Sequence, residues 1–381
     1  MKTLRLLLTG FLFILLPAST DAREPEIRVE VLKNVDSFIV SASGVYEMID
    51  LTDQSLLIKG RKLKRSRVGS FNGGITVGEK LLETKKLRIV SSNDITIYAE
   101  TKKGRFRGAV DILVEKDGRF LVINRLGLES YVKGVLFHEI SDKWPIEATK
   151  AQAIATRTYA LYKMNENIKK NFDVTSDIFS QVYGGKTAER FRTDMASNYT
   201  QGQVMVYDGK IVPAFFHSNS GGFTEDANQV WGIDIPPLKG VESPYSHGMP
   251  HYQWRRNFQS SEVQKVLEKN GIHTGTIKNI SVAERNKSGR VKELIIEARD
   301  GKKTKISGIK FRNTLGPNLI LSNKYEIEMK GYYFDLIGNG WGHGVGMCQW
   351  GAYNMAKERH SYEEILQFYY PGVEIKKIET K

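Results

Sequence analysis

Three groups of residues in this chain have the types and spacing to do chemistry. The first is a carboxylate among apolar neighbours. Within residues 128–140 (LESYVKGVLFHEI), Val132, Val135, Leu136 and Glu139 recur at the spacing that puts side chains on one helix face. A carboxyl on that face loses water; burial disfavours its charged form, and its pKa rises to where it can donate a proton near neutral pH. The same periodicity allows a second outcome, in which the helix ends at Ile140 and Glu139 turns out to solvent. Directly downstream, residues 145–164 (PIEATKAQAIATRTYALYKM) predict an Ala-rich helix whose small surface lets other elements approach closely. Gln152 and Arg157 are its polar exceptions. Such an arginine reads either as a paired structural residue, because buried guanidinium needs a partner, or as a group that serves the site of Glu139.

The second group is Phe216–Gly222 (FHSNSGG), followed by Val230-Trp231-Gly232. A histidine, two serines and paired glycines suit close approach of backbone and hydroxyls to a ligand, and equally suit a tight turn whose serines cap the backbone. The third is residues 338–356 (GNGWGHGVGMCQWGAYNMA), in which glycines alternate with Trp341, His343, Gln349 and Trp350. Alternating glycine leaves one face bare, and two indoles with polar groups suit a sugar held against exposed backbone. No Gly-Lys-Ser/Thr ending follows, so this is not a phosphate loop. His138, His217 and His343 could converge on a metal only if the fold brings them together.

The elements that must position these groups form an α+β chain. Residues 26–123 carry short Val- and Ile-rich runs (IRVEVL, SFIVSA, LRIVSS, ITIYAE, VDILVE), several of them separated by turn signals such as Asn72-Gly73-Gly74. A β-rich entry region is therefore expected, followed by a mixed α/β core whose two consecutive helices carry the candidate site. Further strands are expected at 204–207, 212–216, 277–283 and 292–298, and helices at 261–268 and 362–370. The division expected is a signal peptide at 1–22, a β-rich region at 23–104 and a catalytic region at 105–381, with its helical core near 128–164 and a groove segment at 338–356.

Lys2 and Arg5 precede an apolar run at 6–16, with small residues after it at Thr20 and Ala22, the pattern of a secretory signal too short for a comfortable membrane span. No cysteine lies near the cleavage point, which argues against a lipid anchor, and no stable membrane segment is expected after cleavage. Cys348 is the single cysteine of 381 residues, so no intramolecular disulfide can form and an exported fold must hold by its core. The formal charge of +13 suits an anionic surface, which outside the cytoplasm means wall polymer or lipid headgroups. Neither an aromatic-and-basic sheet motif nor zinc-finger spacing is present, so nucleic acid is not an expected partner.

Taken together, LESYVKGVLFHEISDKWPIEATKAQAIATRTYAL, FHSNSGG with VWG, and GWGHGVGMCQWGAYNMA followed by SYEEILQFYYPGV resemble, in order, the stage II sporulation protein D family, the SpoIID/LytB domain. The resemblance spans residues 105–373. It implies lytic cleavage of peptidoglycan glycan strands, preferentially strands already stripped of stem peptides by an amidase, by a protein of the cell wall or periplasm. It places the catalytic glutamate at Glu139 and the essential arginine at Arg157. It assigns Gln152, Gln181, Tyr183, His217, Ser218, Ser220, Trp341, His343 and Gln349 to the sugar groove. Some relatives carry a Cys/His zinc cluster where this chain has DVTSDIFSQVY (173–183), which contains neither residue, so no metal and no cofactor are expected.

Hydrolytic glycosidases generally need two carboxylates. Near Glu139 only Asp142 and Glu147 are close in sequence, and both read as solvated or helix-start charges. A lytic transglycosylase avoids the second acid, because the C6 hydroxyl of N-acetylmuramic acid is the nucleophile and closes a 1,6-anhydro ring. One residue then serves as acid and as base, with Arg157 contacting substrate or a backbone carbonyl rather than the glutamate, whose pKa it would lower. Two rivals stand beside this expectation: a non-catalytic amidase enhancer that binds glycan or a cell-wall amidase, and a metal-dependent wall hydrolase built on His217 and His343.

Overall fold

The computed structural model describes residues 24–100, 102–177 and 180–378; the expected signal segment at 1–22 lies outside them. The chain is α+β, with an all-strand stretch as far as Gly127 and helices interspersed with short strands after it. Its first hundred described residues fold into two mainly antiparallel sheets. One has six strands from this region, with Glu26–Val35 and Phe120–Gly127 side by side near one end, and a seventh, Val174–Thr175, added in parallel from farther along the chain; the other has six, centred on Phe38–Ala42 and Leu63–Phe71. Alternate residues of these strands point inward. Ile27, Val29, Val40, Ile89 and Val110 are fully buried, and Phe38 meets Phe120 edge-on at 5.9 Å across the two sheets. The region was expected to be β-rich, but the strand Leu63–Phe71 (LKRSRVGSF) is too polar to have been predicted.

The last strand runs directly into helix α1 (Leu128–Glu139), and α2 (Ile146–Glu166) follows after a short link. From Ala148 to Ala160 nearly every side chain of α2 is buried. Such a helix is surrounded rather than laid on a surface. Its alanines let α1, α3 (Phe191–Tyr199), the strand Gln203–Tyr207, α7 (Gln349–Lys357) and α8 (Tyr362–Tyr369) close around it. Helix α4 (Ala227–Trp231) is short. The strand expected at 212–216 does not form as such: only Lys210–Ile211 and Phe216–His217 pair, because Pro213 interrupts the run and lacks the N–H a ladder needs.

Phe216–His217 pairs in parallel with Met347–Cys348, and most of the chain between them forms a second unit. Its own core contains Trp254, Leu267, Leu294, Phe311, Tyr325 and Phe334. Two three-stranded sheets build it, with helices α5 (Ser260–Lys269) and α6 (Gly308–Leu315). The glycine-rich segment is the return path from this insertion to the core. Its glycines serve packing: Gly340, Gly342, Gly344 and Gly346 all have positive φ, and a Cβ on Gly342 or Gly346 would lie 2.7 Å from His217 Cβ or 2.0 Å from the Phe215 carbonyl. The bare face that the alternation suggested for a sugar is covered by residues 215–221. Among the described residues no helix is long and apolar enough to cross a membrane.

Candidate active site

Glu139 is the last residue of α1, and the chain leaves helical geometry at Ile140. The helix therefore ends where the solvent-facing alternative required, yet Glu139 is only partly exposed. Val132 and Leu136, from the same stripe, are fully buried, and Glu139 itself is half-buried. Its partners are neutral. The Val182 N–H donates to one oxygen at 3.3 Å, and Gln349 Nε2 donates to the other at 3.3 Å and to Gln152 Oε1 at 3.4 Å. Burial pushes the carboxyl up to about 7, against the smaller opposing pull of those two N–H donors.

No charged side chain among the described residues contributes to that shift. Glu147 is engaged elsewhere, with Lys150 Nζ at 2.7 Å and the Tyr362 N–H at 3.0 Å. Gln181 stands beside Val182, fully buried; its Oε1 accepts from the Tyr131 hydroxyl at 2.8 Å, while its Nε2 has no partner among the described residues. Tyr183 forms the floor behind these groups. It stacks on Tyr131 at 5.3 Å and donates to Asn124 Oδ1 at 2.8 Å.

Arg157 lies at the other end of α1. It is fully buried, and its Nε and Nη2 form a two-pronged ion pair with Glu129, each at 2.7 Å, while Nη1 donates to the Gln203 carbonyl. Glu129 and Glu139 are ten residues apart, about 15 Å along a helix. The guanidinium thus touches neither Glu139 nor the groups hydrogen-bonded to it. Of the two readings its sequence allowed, the geometry is that of the paired structural residue, joining α1 to α2, α3 and the strand after it.

The remaining candidates form separate groups. His217 and His343 adjoin with ring centroids 5.6 Å apart. Both are held neutral by burial, His343 down to about 3. No third His, Cys, Asp or Glu joins them in a metal-binding group among the described residues. Ser220 Oγ is consumed by Ser246 and the Gly222 N–H, as in the capped-turn reading, and Ser218 contributes a carbonyl that accepts from the Trp350 N–H. Trp341 packs against His251 at 4.4 Å, on the inserted unit.

Near Glu139, Trp350, one of the two indoles that the glycine-rich segment offered for a sugar, is joined by two rings that the sequence alone did not single out, Trp144 and Tyr353. Trp144, in the link after Glu139, lies 4.8 Å from Trp350 and 5.2 Å from Tyr353, and all three are half-buried. Trp350 follows Gln349, the partner of Glu139. The signal was legible: Trp350 and Tyr353 are three apart on α7 and so share a face. Partly exposed rings in this position can stack on pyranose rings.

Comparison with known proteins gives the family of the chain. The signature described as stage II sporulation protein matches residues 116–207, which include both helices and Glu139. A domain of unknown function matches 239–346, the inserted unit. The chain is 32% identical to stage II sporulation protein D of Bacillus subtilis over 75% of its length and 84% of the relative's, and 33% identical to that of Bacillus amyloliquefaciens over 68% and 76%. An uncharacterised protein of Brachyspira hyodysenteriae is 32% identical over 93% of this chain and 94% of its own. The amidase enhancer of Bacillus subtilis is 28% identical over 63% of this chain and 39% of its own length. The chain belongs to the stage II sporulation protein D family and has a cell-wall-related function.

Proposed function

We propose that this protein is an exported lytic transglycosylase that cuts peptidoglycan glycan strands, preferentially peptide-stripped ones, to 1,6-anhydro-N-acetylmuramic acid ends. The observation that carries the reading is a single half-buried carboxyl with neutral partners, pushed up to about 7. At neutral pH a good fraction of Glu139 is protonated. It gives that proton to the glycosidic oxygen as the bond to the muramic C1 breaks. The C6 hydroxyl of the same sugar then forms a bond to C1 and returns its proton to Glu139, so the residue ends as it began and no water is consumed. Trp144, Trp350 and Tyr353 offer faces for adjoining sugars, and the buried Gln181 holds the Tyr131 hydroxyl behind them. Arg157 serves as a positioning residue, holding α1 through Glu129.

A second reading, that the chain binds and stimulates a cell-wall amidase, has one observation in its favour besides the amidase-enhancer relative. Phe191, Met195 and Tyr199 recur every four residues along α3 and are 83%, 46% and 64% exposed, an apolar stripe suited to a protein partner. Mass spectrometry after incubation with peptide-stripped strands separates the two. Anhydro ends from wild type and none from Glu139→Gln, which still binds the strand, are expected. Reducing ends would overturn the lytic reading, and bound but uncut strands with wild type would leave the enhancer reading.

A further inference from the structure

We infer that a cavity between the core and the inserted unit is a subsite for a sugar acid, namely a muramic acid residue whose lactyl carboxylate is free of peptide; the inference rests on the peptidoglycan substrate proposed above. The cavity has a volume of about 560 Å³. Trp231 and His343 line it from the core, and Arg290, Arg312, Asn286 and Asn323 from the inserted unit. None of these residues contacts Glu139, so this is a second site.

The charge on its walls calls for an anion. Arg290 is 2% exposed, and its two terminal nitrogens donate to the carbonyls of Phe223 and Ser220, each at 2.9 Å. Its Nε has no partner among the described residues. Arg312 is likewise spent on carbonyls, those of Ile320 at 2.8 Å and Leu321 at 3.0 Å. Neither guanidinium has a carboxylate within ion-pair distance among the described residues, and a buried cation without one is costly unless a ligand supplies it. Burial and the neighbouring Arg290 hold Arg312 down to about 10. Glu225, the acid on the wall, offsets part of this charge but is already engaged by Asn286 and Ser288 at 2.8 Å each, and Lys292 is paired with Glu284 at 2.7 Å. One positive charge is left over.

The rest of the lining describes the remainder of the ligand. Four carboxamides face the cavity, Gln229, Asn286, Asn313 and Asn323, and the amide oxygens of Asn286 and Asn323 are buried with no partner among the described residues. An amide both donates and accepts, which matches hydroxyl and acetamido groups. Trp231 stacks on Phe215 at 4.2 Å and still keeps 44% of its surface exposed, as a ring prepared for a pyranose would. A carboxylate, acetamido and hydroxyl groups, and a pyranose face occur together in N-acetylmuramic acid. Its carboxyl is charged only where no peptide is attached, because attachment turns it into an amide. Selection of stripped strands would follow from that one change.

The test is calorimetric titration of the mature chain with N-acetylmuramic acid, its methyl ester and N-acetylglucosamine. Binding of the acid, at least about tenfold weaker binding of the ester and of N-acetylglucosamine, and a comparable loss of acid binding in Asn313→Asp and Trp231→Ala are expected. Asn313 is exposed, so its variant adds a repelling charge without disturbing the core. Equal binding of acid and ester, no binding of the acid, or binding lost in Trp144→Ala but kept in Asn313→Asp would overturn the inference. These monosaccharides contain no bond to cleave. A chain that binds the acid selectively and yields no anhydro ends therefore keeps this subsite and loses the lytic reading, and the reverse result does the opposite.

Discussion

Helix α1 carries a glutamate near each end, and the two live in opposite surroundings. Glu129 meets a fully buried guanidinium with both oxygens and also accepts from the Gly202 N–H at 3.0 Å. Glu139 meets two side-chain amides, directly or through one another, and one backbone N–H. A two-pronged arginine partner turns a carboxylate into a fastener between elements. Neutral donors leave it able to exchange a proton. The same residue type on the same helix is thus made structural or reactive by what lies opposite it.

The largest effect that would sharpen this contrast is on cleavage. Glu139→Gln should lower the rate on stripped strands by about 10²–10⁴-fold, the range for loss of a general acid–base group, with the fold intact by circular dichroism. A rate within a few-fold of wild type would break the assignment. Arg157→Met should act on stability, lowering it by about 3–5 kcal/mol in a denaturant titration because Glu129 is left unpaired. If Arg157→Lys folds, it should keep the wild-type pH midpoint of cleavage, since the guanidinium does not act on Glu139.

A smaller effect concerns stability against pH. The carboxyl of Glu139 has its pKa raised in the fold from 4.5 to about 7. The cost of its charged form is therefore fully present above pH 7 and is relieved as the pH falls through 7 towards 4.5. Glu139→Gln should accordingly be more stable than wild type at pH 8, by up to about 1–3 kcal/mol, relative to the same comparison at pH 4. A pH-independent difference would contradict the contrast. The smallest effect belongs to Gln349→Leu: its amide favours the charged form, so its loss should move the alkaline limb of the rate profile upward, by about half to one pH unit.

The Glu139 stripe, the Ala-rich helix and the order of the motifs were legible because helical periodicity and small-residue composition are local properties. The fate of Arg157 was not, because its partner Glu129 lies 28 positions away and only the packing of α1 on α2 brings them together. The glycine alternation was visible while its use was not: a bare face can admit a ligand or a neighbouring strand, and residues 215–221 take it. Trp144 went unselected for a related reason. Its meaning depends on Trp350 and Tyr353, which reach it only when α7 closes on the link after α1.

The central claim is that Glu139 carries a proton at neutral pH. Its most direct test is a carbon-13 NMR titration of glutamate-labelled protein, with the Glu139 resonance identified by difference against Glu139→Gln. The account predicts a midpoint near 7. A midpoint in the ordinary range for glutamate, near 4.5, would contradict it.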